Sequence, residues 1–451
     1  MLLPMPRSLV YLLYNLLLPP LLLLGLPSFF IKGLRRGGLA RGFFQRLGFF
    51  SQETLAKIHG RNPLWIHAVS VGEVFLALKL IEALRAVAPD LSIVLSTTTT
   101  TGYRVAAEKE SPTLTVIHNP VDLPLISWHV LQTIHPCALV LIEAEIWPNL
   151  VGLAKRCGLP VLLVNARLSP RSERRYGTFR SLVEPIFSLL DGITVPFAED
   201  VARWNALGID ASKIRVTGSV KFDHAGPAAA AATQRDDLAA WLAATGFSTE
   251  HRILLGGSTH DGEELLLAQI TRELKRDFPT LELVLVPRHA ERGSEIAARL
   301  REDGFDPILR IGSDPLESPT EDGSLRIWIA NTTGELRSWY ALGELVVIGK
   351  SFHGIGGQNP VEPILAGRPV VVGPHMENFS EVVSELREIG GLRQVNGADA
   401  LPGALRELLL HPETGQEMAS RGALAMARHA GSASRNAEWV AQWISQERGG
   451  V

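Results

Sequence analysis

The sequence has few cysteines and no grouping of residues typical of a metal or redox centre. It has two cysteines, Cys137 and Cys157, in 451 residues. Neither has the neighbouring Cys or His of a zinc site, and no acidic or His/Cys cluster resembles a metal site. Both cysteines lie in or beside apolar runs, so we expect reduced core thiols and, from these, a cytoplasmic catalytic body. A formal net charge of only −3 excludes a general attraction to nucleic acid.

Charge is also missing from a long stretch near the N-terminus. No charged residue lies between Leu9 and Ile31, and roughly 20 apolar residues are enough to cross a bilayer. Arg7 precedes the stretch, whereas five cations follow it: Lys32, Arg35, Arg36, Arg41 and Arg46. Because cations collect on the cytoplasmic side of a membrane helix, the pattern predicts one N-terminal anchor in the inner membrane, with the rest of the chain on the cytoplasmic side. The cations are expected to face anionic headgroups or substrate phosphates.

Two alternatives remain for this stretch. A secretory signal peptide would carry its basic residues first and a small-residue cleavage site afterwards, and the sequence has neither clearly. Pro19, Pro20 and Pro27 interrupt the stretch, so a kinked helix at the membrane interface also fits. For a membrane anchor, deletion through Ile31 is expected to release protein from the membrane and to leave the chemistry intact.

Beyond this segment, short apolar runs rich in β-branched residues alternate with amphipathic stretches. This rhythm is typical of parallel sheets covered on both faces, and it predicts an α/β fold with two doubly wound, Rossmann-like domains. An alanine-rich segment from Ala225 to Ala244 separates the two series and is interpreted as a linker and helix outside the core. The predicted strands are Leu64–His67, Leu91–Ser96, Leu114–His118, Ala138–Ile142, Val161–Val164, Gly192–Val195, Ile214–Thr217, Ile253–Leu255, Leu283–Val286, Leu325–Ile329, Leu345–Ile348 and Val370–Val372.

Predicted domain boundaries follow from this division. The anchor and basic segment occupy residues 1–45, the first Rossmann-like domain 46–225, the linker 226–245, the second domain 246–430 and a C-terminal helix 431–451. Sheets of this type bind ligands at the carboxyl ends of their strands. We therefore sought functional residues directly after the predicted strands.

Glu73 follows the first of these strands and opens a predicted helix. A carboxylate at a helix N-terminus is stabilised by the helix dipole, which keeps it ionised and able to act as a base. The alternative is a capping box, in which Ser70 and Glu73 satisfy the free amides of the first turn, and the spacing fits that equally well.

Other strand ends in the first domain carry charge. Glu143 and Glu145 precede Trp147 and Pro148, which indicates either a rigid rim of a site or a solvated loop. The next strand ends lead into Asn165–Ser169 and into Gly218–Asp223. Cations there suit an anionic sugar or phosphate, although a surface Lys221 paired with Asp223 would be ordinary.

In the second domain, three strand ends are suited to a nucleotide. Arg288 is placed to clamp a phosphate, or lies in a basic surface turn. The segment Asn331–Leu336 is a turn with free amides. The glycine-rich run Gly349–Pro363 lets backbone amides approach a phosphate, and Glu362 can accept from ribose hydroxyls. This run is neither a Walker loop nor a strand-adjacent G-x-G-x-x-G, which weakens ATP and dinucleotide interpretations.

Taken in order, these segments resemble the 3-deoxy-D-manno-octulosonic acid (Kdo) transferase family over nearly the whole chain. Each motif is weak alone, whereas the ordered series is highly specific. The segments that carry the resemblance are Ser70–Glu73, Glu143–Asn149, Asn165–Ser169, Gly218–Asp223, Pro287–His289, Gly334–Leu336, Gly356–Asn359 with Glu362, and Gly373–His375 with Asn378 and Phe379.

The resemblance implies a GT-B arrangement of the two domains, a CMP-Kdo donor and a phosphorylated lipid A precursor as acceptor, with inversion and no metal or other cofactor. The first domain then binds the acceptor and the second binds CMP-Kdo. Glu73 resembles the general base, and Glu143 and Lys221 resemble groups that stabilise the transition state. The residues that resemble the CMP site are Pro287, Arg288, Thr333, Gly334, Glu335, Asn359, Pro360, Val361 and Glu362.

Three positions depart from the family pattern. Asn331 stands where Asp is usual, Lys350 where Gly is usual and Gln358 where His is usual. These departures concern the shape of the nucleotide loop. Alternatives to a Kdo transferase are another GT-B sugar-nucleotide transferase or epimerase, and a catalytically inactive membrane tether that only binds nucleotide.

Overall fold

The alternation of strands and helices read from the sequence is present in the structure. A computed structural model describes residues 5–36, 39–143, 146–168, 170–223, 228–248, 250–310 and 325–449. Up to residue 223 the elements are α1 (Arg7–Arg36), α2 (Leu39–Arg46), α3 (Gln52–Ile58), β1 (Leu64–Ala68), α4 (Val71–Val87), β2 (Ile93–Thr97), α5 (Thr100–Ala107), β3 (Leu114–His118), α6 (Pro124–Ile134), β4 (Ala138–Ile142), α7 (Pro148–Arg156), β5 (Val161–Val164), α8 (Pro170–Thr178), α9 (Arg180–Phe187), β6 (Gly192–Val195), α10 (Ala198–Ala206) and β7 (Ile214–Val216).

From residue 228 the same pattern continues. The elements are α11 (Ala228–Ala244), β8 (Arg252–Thr259), α12 (Glu263–Leu274), β9 (Leu281–Pro287), α13 (Gly293–Glu302), β10 (Phe305–Leu309), β11 (Leu325–Ile329), α14 (Leu336–Leu342), β12 (Leu345–Ile348), α15 (Val361–Leu365), β13 (Val370–Val372), α16 (Ser380–Glu388), β14 (Arg393–Gln394), α17 (Leu401–Leu410), α18 (Pro412–Ala427) and α19 (Ser432–Gly449). All twelve predicted strands are present. The sequence did not reveal β10 and β14, two edge strands of the second sheet.

The strands form two seven-stranded sheets in which the paired strands are parallel. The first has the order β3-β2-β1-β4-β5-β6-β7 and the second β10-β11-β9-β8-β12-β13-β14. The direction of winding reverses between β1 and β4 in the first sheet, and between β8 and β12 in the second. Ligands of open α/β sheets bind at the carboxyl ends of strands beside such a reversal. The predicted fold class, two doubly wound α/β domains, is confirmed.

Burial on both faces explains why the strands read as continuous apolar runs. In β1, Leu64 and Ile66 pack into one hydrophobic cluster, whereas Trp65, which points to the opposite face, packs into another. Trp439 and Ile444 of α19 join the first of these clusters. An alternating pattern would instead have indicated one solvated face.

The described residues divide into two compact units. One contains the residues up to Asp223 together with those from His429 onward, and the other contains the residues between them. The last helix, α19, therefore belongs to the first unit. The alanine-rich helix α11 belongs to the second, where its Leu238 and Leu242 are buried.

Helix α1 is apolar on its outer side. Its segment Arg7–Gly25 is long and apolar enough to cross a membrane, and the helix runs without a break through Pro19 and Pro20. Leu16 and Leu24 are 68% and 79% exposed. Exposed apolar surface of this kind is typical of a site that contacts a membrane or another protein.

Two expectations from the sequence were wrong. Arg46 does not face outward, because its guanidinium donates to the carbonyl of Thr98 at 2.6 Å and lies 3.1 Å from His118 Nδ1. The thiol of Cys157 is exposed at the end of α7, whereas Cys137 is partly buried. Cys157 is therefore not a core thiol.

Candidate active site

Glu73 lies in the first turn of α4, directly after β1. Its Oε2 accepts a hydrogen bond from the Val69 amide at 2.7 Å, and its Oε1 accepts from the Ser70 hydroxyl at 2.8 Å and the Ser70 amide at 3.3 Å. The Ser70 hydroxyl in turn accepts from the Glu73 amide, so the capping box expected as an alternative is formed. Burial raises the pKa of Glu73, and the three hydrogen bonds oppose that rise.

Glu143 follows β4, the strand next to β1 on the other side of the reversal in winding. Its backbone has a φ of 62°, in the left-handed region that a residue with a side chain seldom adopts. Burial raises the pKa of Glu143 and the charge of Glu73 raises it further, while the charges of Arg167 and Lys221 lower it. The structure thus brings Glu73, Glu143 and Lys221 into one electrostatic group. Ala144 and Glu145, which follow Glu143, lie outside the described residues, as does Ser169 of the next motif.

Lys221 and Arg167 place two cations beside Glu143. Burial lowers the pKa of Lys221, as does the nearby charge of Arg167, whereas Glu143 raises it. Arg167 follows β5, the next strand beyond β4. The sequence analysis assigned the cations of this motif to an anionic ligand but did not name Arg167 itself as a site residue, although its position after β5 was already a signal.

The short 3-10 turn Val220–Phe222 that carries Lys221 is held from two sides. The Lys79 ammonium of α4 donates to the carbonyls of Val220, Lys221 and Asp223 at 3.4, 3.3 and 3.1 Å. The Asp223 carboxylate accepts from the amides of Gly431 and Ala433, at 3.0 and 2.6 Å. Asp223 thereby fastens the start of α19 to the turn.

His67 links the strand before Glu73 to the segment after Glu143. Its Nε2 accepts from the indole of Trp147 at 3.1 Å, and its Nδ1 lies 2.9 Å from the Ser96 hydroxyl. Because an indole only donates, the ring proton resides on Nδ1 and points to Ser96. Burial lowers the pKa of His67 to about 4, so the ring is neutral. Trp147 is therefore held to β1 by a hydrogen bond, and its place on the rim of a site stays a prediction.

In the second unit, the predicted nucleotide residues follow strands β9, β11 and β12 of the second sheet. Pro287 ends β9, and the Arg288 amide donates to the Thr259 carbonyl at the end of β8. The Arg288 side chain is exposed. An exposed guanidinium at a strand end is available to an anionic ligand.

Glu335 is ion-paired within its own unit. Arg310 donates to both its carboxylate oxygens at 2.9 Å, and the Thr332 hydroxyl donates to Oε2. Burial alone would raise the pKa of Glu335, but the hydrogen bonds from Arg310 and Thr332 and the charge of Arg310 outweigh it, so the pKa is lowered. Thr333 and Gly334 precede it in the turn, with Gly334 at a φ of 85°.

The glycine-rich loop after β12 is organised by Glu263, a residue that the sequence analysis missed. The buried Glu263 carboxylate accepts from the amides of Lys350, Ser351 and Phe352 at 2.6, 3.0 and 3.0 Å. Glu263 begins α12 just after β8, the counterpart of the position of Glu73 in the first unit. That equivalence was the available signal. Lys350 adopts a φ of 56°, which explains why a glycine suits this position.

Asn359 prepares the start of α15. Its Oδ1 accepts from the Val361 amide at 3.0 Å and its Nδ2 donates to Glu362 Oε1 at 3.3 Å. Pro360 is the N-cap of this helix. Val361 is fully buried, and its amide is already bonded to Asn359. Across the described ranges, no three His, Cys, Asp or Glu side chains are grouped to hold a metal ion.

Comparison with known proteins decides the family. Residues 41–224 match the family described as 3-Deoxy-D-manno-octulosonic-acid transferase (kdotransferase). A 3-deoxy-D-manno-octulosonic acid transferase of Bordetella pertussis is 32% identical over 85% of this chain and 87% of its own length. One from Haemophilus influenzae is 30% identical over 87% and 88%. The chain belongs to the Kdo transferase family. It is therefore a glycosyltransferase, and the family resemblance seen in the sequence is confirmed.

A solved structure, the C-terminal CMP-Kdo binding domain of WaaA from Acinetobacter baumannii, is also similar. It is 23% identical and covers 42% of this chain and 96% of its own, with a TM-score of 0.38. The fold assignment above depends on the strand order of the chain itself.

Proposed function

We propose that the chain transfers Kdo from CMP-Kdo to a hydroxyl of a phosphorylated lipid A precursor, with inversion and without a metal. The observation that carries this proposal is the group formed by Glu73, Glu143, Arg167 and Lys221, where two carboxylates and two cations meet at the reversal of the first sheet. Membership of the Kdo transferase family supports it.

In this mechanism Glu73 is the general base. The acceptor O–H proton passes to a Glu73 carboxylate oxygen while the acceptor oxygen bonds to the anomeric carbon of Kdo. A carboxylate offers about four acceptor positions. The hydrogen bonds from Val69 and Ser70 use three of them, which leaves one for the acceptor hydroxyl. Its pKa, raised by burial, makes it a stronger base than an exposed glutamate.

Glu143 and Lys221 act on the charge that develops as the bond to CMP breaks. The electron pair of that bond leaves on the phosphate oxygen of CMP, and cations or amides must meet its negative charge. The negative charge of the Glu143 carboxylate stabilises the positive charge that grows at the anomeric carbon.

The second unit is proposed to bind CMP-Kdo, and the first to bind the acceptor. Arg288, at the end of β9, faces solvent and suits the phosphate. The turn of Thr333, Gly334 and Glu335 and the helix start at Asn359 and Pro360 offer amides and oxygens for the nucleoside. Glu362 suits the ribose hydroxyls, and Val361, which is buried in the structure, stays a predicted residue of the CMP site.

We also propose that α1 holds the enzyme at the cytoplasmic face of the inner membrane. The exposed leucines of α1 and its uncharged composition support lipid contact. The excess of cations after the stretch supports a cytoplasmic body.

Product analysis by mass spectrometry tests the function. The enzyme is incubated with detergent-solubilised lipid A precursor and with either CMP-Kdo or a UDP-sugar. Each incubation is carried out with enzyme before and after its exhaustive dialysis against EDTA. Kdo addition from CMP-Kdo alone, undiminished by EDTA, is expected. Transfer from a UDP-sugar would contradict the assignment of CMP-Kdo as the donor. Activity that is lost after dialysis and restored only by Mg²⁺ or Mn²⁺ would contradict the metal-free mechanism.

A further inference from the structure

Helix α1 has a polar face as well as an apolar one. Tyr11, Tyr14 and Asn15 are spaced three and four residues apart, so they share one side of the helix. Tyr11 Oη donates to the Pro148 carbonyl at 3.0 Å. Gly152 of α7 has no side chain to block it, since a Cβ there would collide with the Tyr11 hydroxyl. The opposite face carries the exposed leucines.

Asn15 and Tyr14 extend this contact. The Asn15 and Asn149 amides exchange two hydrogen bonds, at 3.0 and 2.8 Å. Tyr14 Oη donates to Asp122 Oδ2 at 3.0 Å. Three neighbouring side chains of α1 are thus bonded to the start of α7 or to Asp122. A helix that served only as a tether would have no need of a fixed, hydrogen-bonded seat on the body.

Asp122 is the centre of this contact, and only 3% of it is exposed. Besides Tyr14, its carboxylate accepts from the amides of Asn149 and Leu150 at 3.0 and 2.8 Å, and from the Ser127 hydroxyl at 3.3 Å. The N-cap residue of α7, Trp147, provides no capping side chain. Asp122, from the β3–α6 connection, supplies the missing cap to the first turn of α7.

The start of α7 is one end of the segment that carries Glu143. At the other end, the Glu143 amide donates to the Val164 carbonyl at 3.0 Å. Trp147, just before α7, is held by His67. Because the first turn of α7 follows Glu143 closely in the chain, whatever fixes that turn limits the positions that Glu143 can take.

We propose that the part of α1 that carries Tyr11, Tyr14 and Asn15 is a fixed part of the first unit. Tyr14 of this helix and Asp122 are positioning residues for Glu143. This rests on the proposed role of Glu143. It departs from the expectation that α1 can be deleted without loss of chemistry. The two faces of the helix have separate tasks, since the polar face orders α7 and the leucine face meets lipid.

The test compares Tyr14→Phe with Leu16→Gln on full-length enzyme and detergent-solubilised acceptor. Tyr14→Phe removes one hydroxyl from the polar face, and Leu16→Gln alters the exposed face. Tyr14→Phe is expected to lower kcat by about ten-fold, because small misplacement of catalytic groups is costly, while the KM for CMP-Kdo stays the same. Leu16→Gln is expected to keep wild-type kcat on this substrate and to bind lipid vesicles less.

Amide hydrogen exchange separates this proposal from the proposed function. Exchange at Asn149 and Leu150 is expected to rise in Tyr14→Phe and Asp122→Asn, but not in Leu16→Gln. Equal kcat in Tyr14→Phe and wild type, or unchanged exchange at these two amides, would overturn the proposal. If the wild type fails to transfer Kdo, the proposed function falls, and exchange still decides whether Tyr14 orders α7.

Discussion

Glu73 and Glu143 interact electrostatically from beyond the ends of two adjacent parallel strands. Burial, and after it the charge of Glu73, raises the pKa of Glu143. The two carboxylates follow β1 and β4, where the winding of the first sheet reverses. One of them is fixed by a capping box, and the other by an unusual backbone conformation. Their different surroundings suit two different roles.

The first prediction separates a base from a cap at Glu73. Glu73→Gln keeps the length and polarity of the side chain but removes the basic oxygen. We expect it to fold, to bind CMP and to lose roughly 10²-fold or more in turnover, the usual contribution of a general base. Single-turnover rates and CMP binding are the measurements.

The matched variant is Ser70→Ala, which removes the other half of the capping box and leaves the carboxylate. It is expected to cost about 1 kcal/mol of stability, the typical value of an N-cap, and to keep most of its turnover. Similar turnover losses in both variants would mean that Glu73 serves the helix and not the reaction.

The second prediction concerns the stability of Glu143→Gln as a function of pH. An unfolded glutamate has a pKa of about 4.3, and burial raises the folded value above it. The folded protein therefore binds this proton more tightly, so the stabilisation is present below about pH 4 and is lost as the pH rises through the folded pKa. A neutral glutamine avoids that loss.

We therefore expect Glu143→Gln to melt at a higher temperature than wild type at pH 8 and to lose the advantage near pH 4. Its turnover should fall by about 10²-fold or more, as for other groups that stabilise developing charge. Glu82→Gln, on the exposed side of α4, is the control and should show no such pH-dependent difference. A Glu143→Gln protein less stable than wild type at pH 8 would contradict the assignment.

The sequence predicted the fold well because both faces of the sheets are covered. Strands such as Ala138–Ile142 are buried at every position, so they read as uninterrupted apolar runs. Strand β10 contains Asp306 and Pro307 at a sheet edge, and β14 has only two residues. Neither provides the apolar run on which the prediction depended.

The site was predicted only in part, and for a physical reason. Glu73, Glu143 and Lys221 could be proposed because they belong to local motifs, and their roles in catalysis stay predictions. The partners of Lys79, Asp122 and Glu263 are largely backbone atoms of segments distant in sequence. Backbone amides and carbonyls have no residue-type signature, so no motif could reveal these bonds.

The third prediction concerns Lys79. Its ammonium donates to three carbonyls of the segment that contains Lys221, and such charge-assisted bonds contribute about 1.5–3 kcal/mol each at most. Lys79→Met is expected to lower kcat by about ten-fold with little change in the KM for CMP-Kdo. Lys79→Arg should restore part of the rate, and Lys109→Met, on an exposed lysine, should have no effect. A change in KM alone would contradict a positioning role for Lys79.

The last prediction concerns Lys350, where the family usually has glycine. Its φ of 56° is held in place because its amide donates to Glu263 Oε2 at 2.6 Å. A residue with a Cβ loses about 1–2 kcal/mol in this conformation. Glycine avoids that cost but adds about 0.4–1 kcal/mol of unfolded-state entropy. The strain is the larger of the two, so Lys350→Gly should stabilise the second unit.

Lys350→Ala is the matched variant, because it removes the charge and the long side chain but keeps the Cβ and its strain. We expect the free energy of unfolding of Lys350→Gly to be about 1 kcal/mol higher than that of Lys350→Ala. For a unit of this size, this corresponds to a Tm about 2–4 °C higher. The KM for CMP-Kdo should change little in either variant, since the amide bonds to Glu263 keep the loop in place. Equal stability of the two variants would show that the backbone relaxes at this position, and the strain inferred from its φ would be absent.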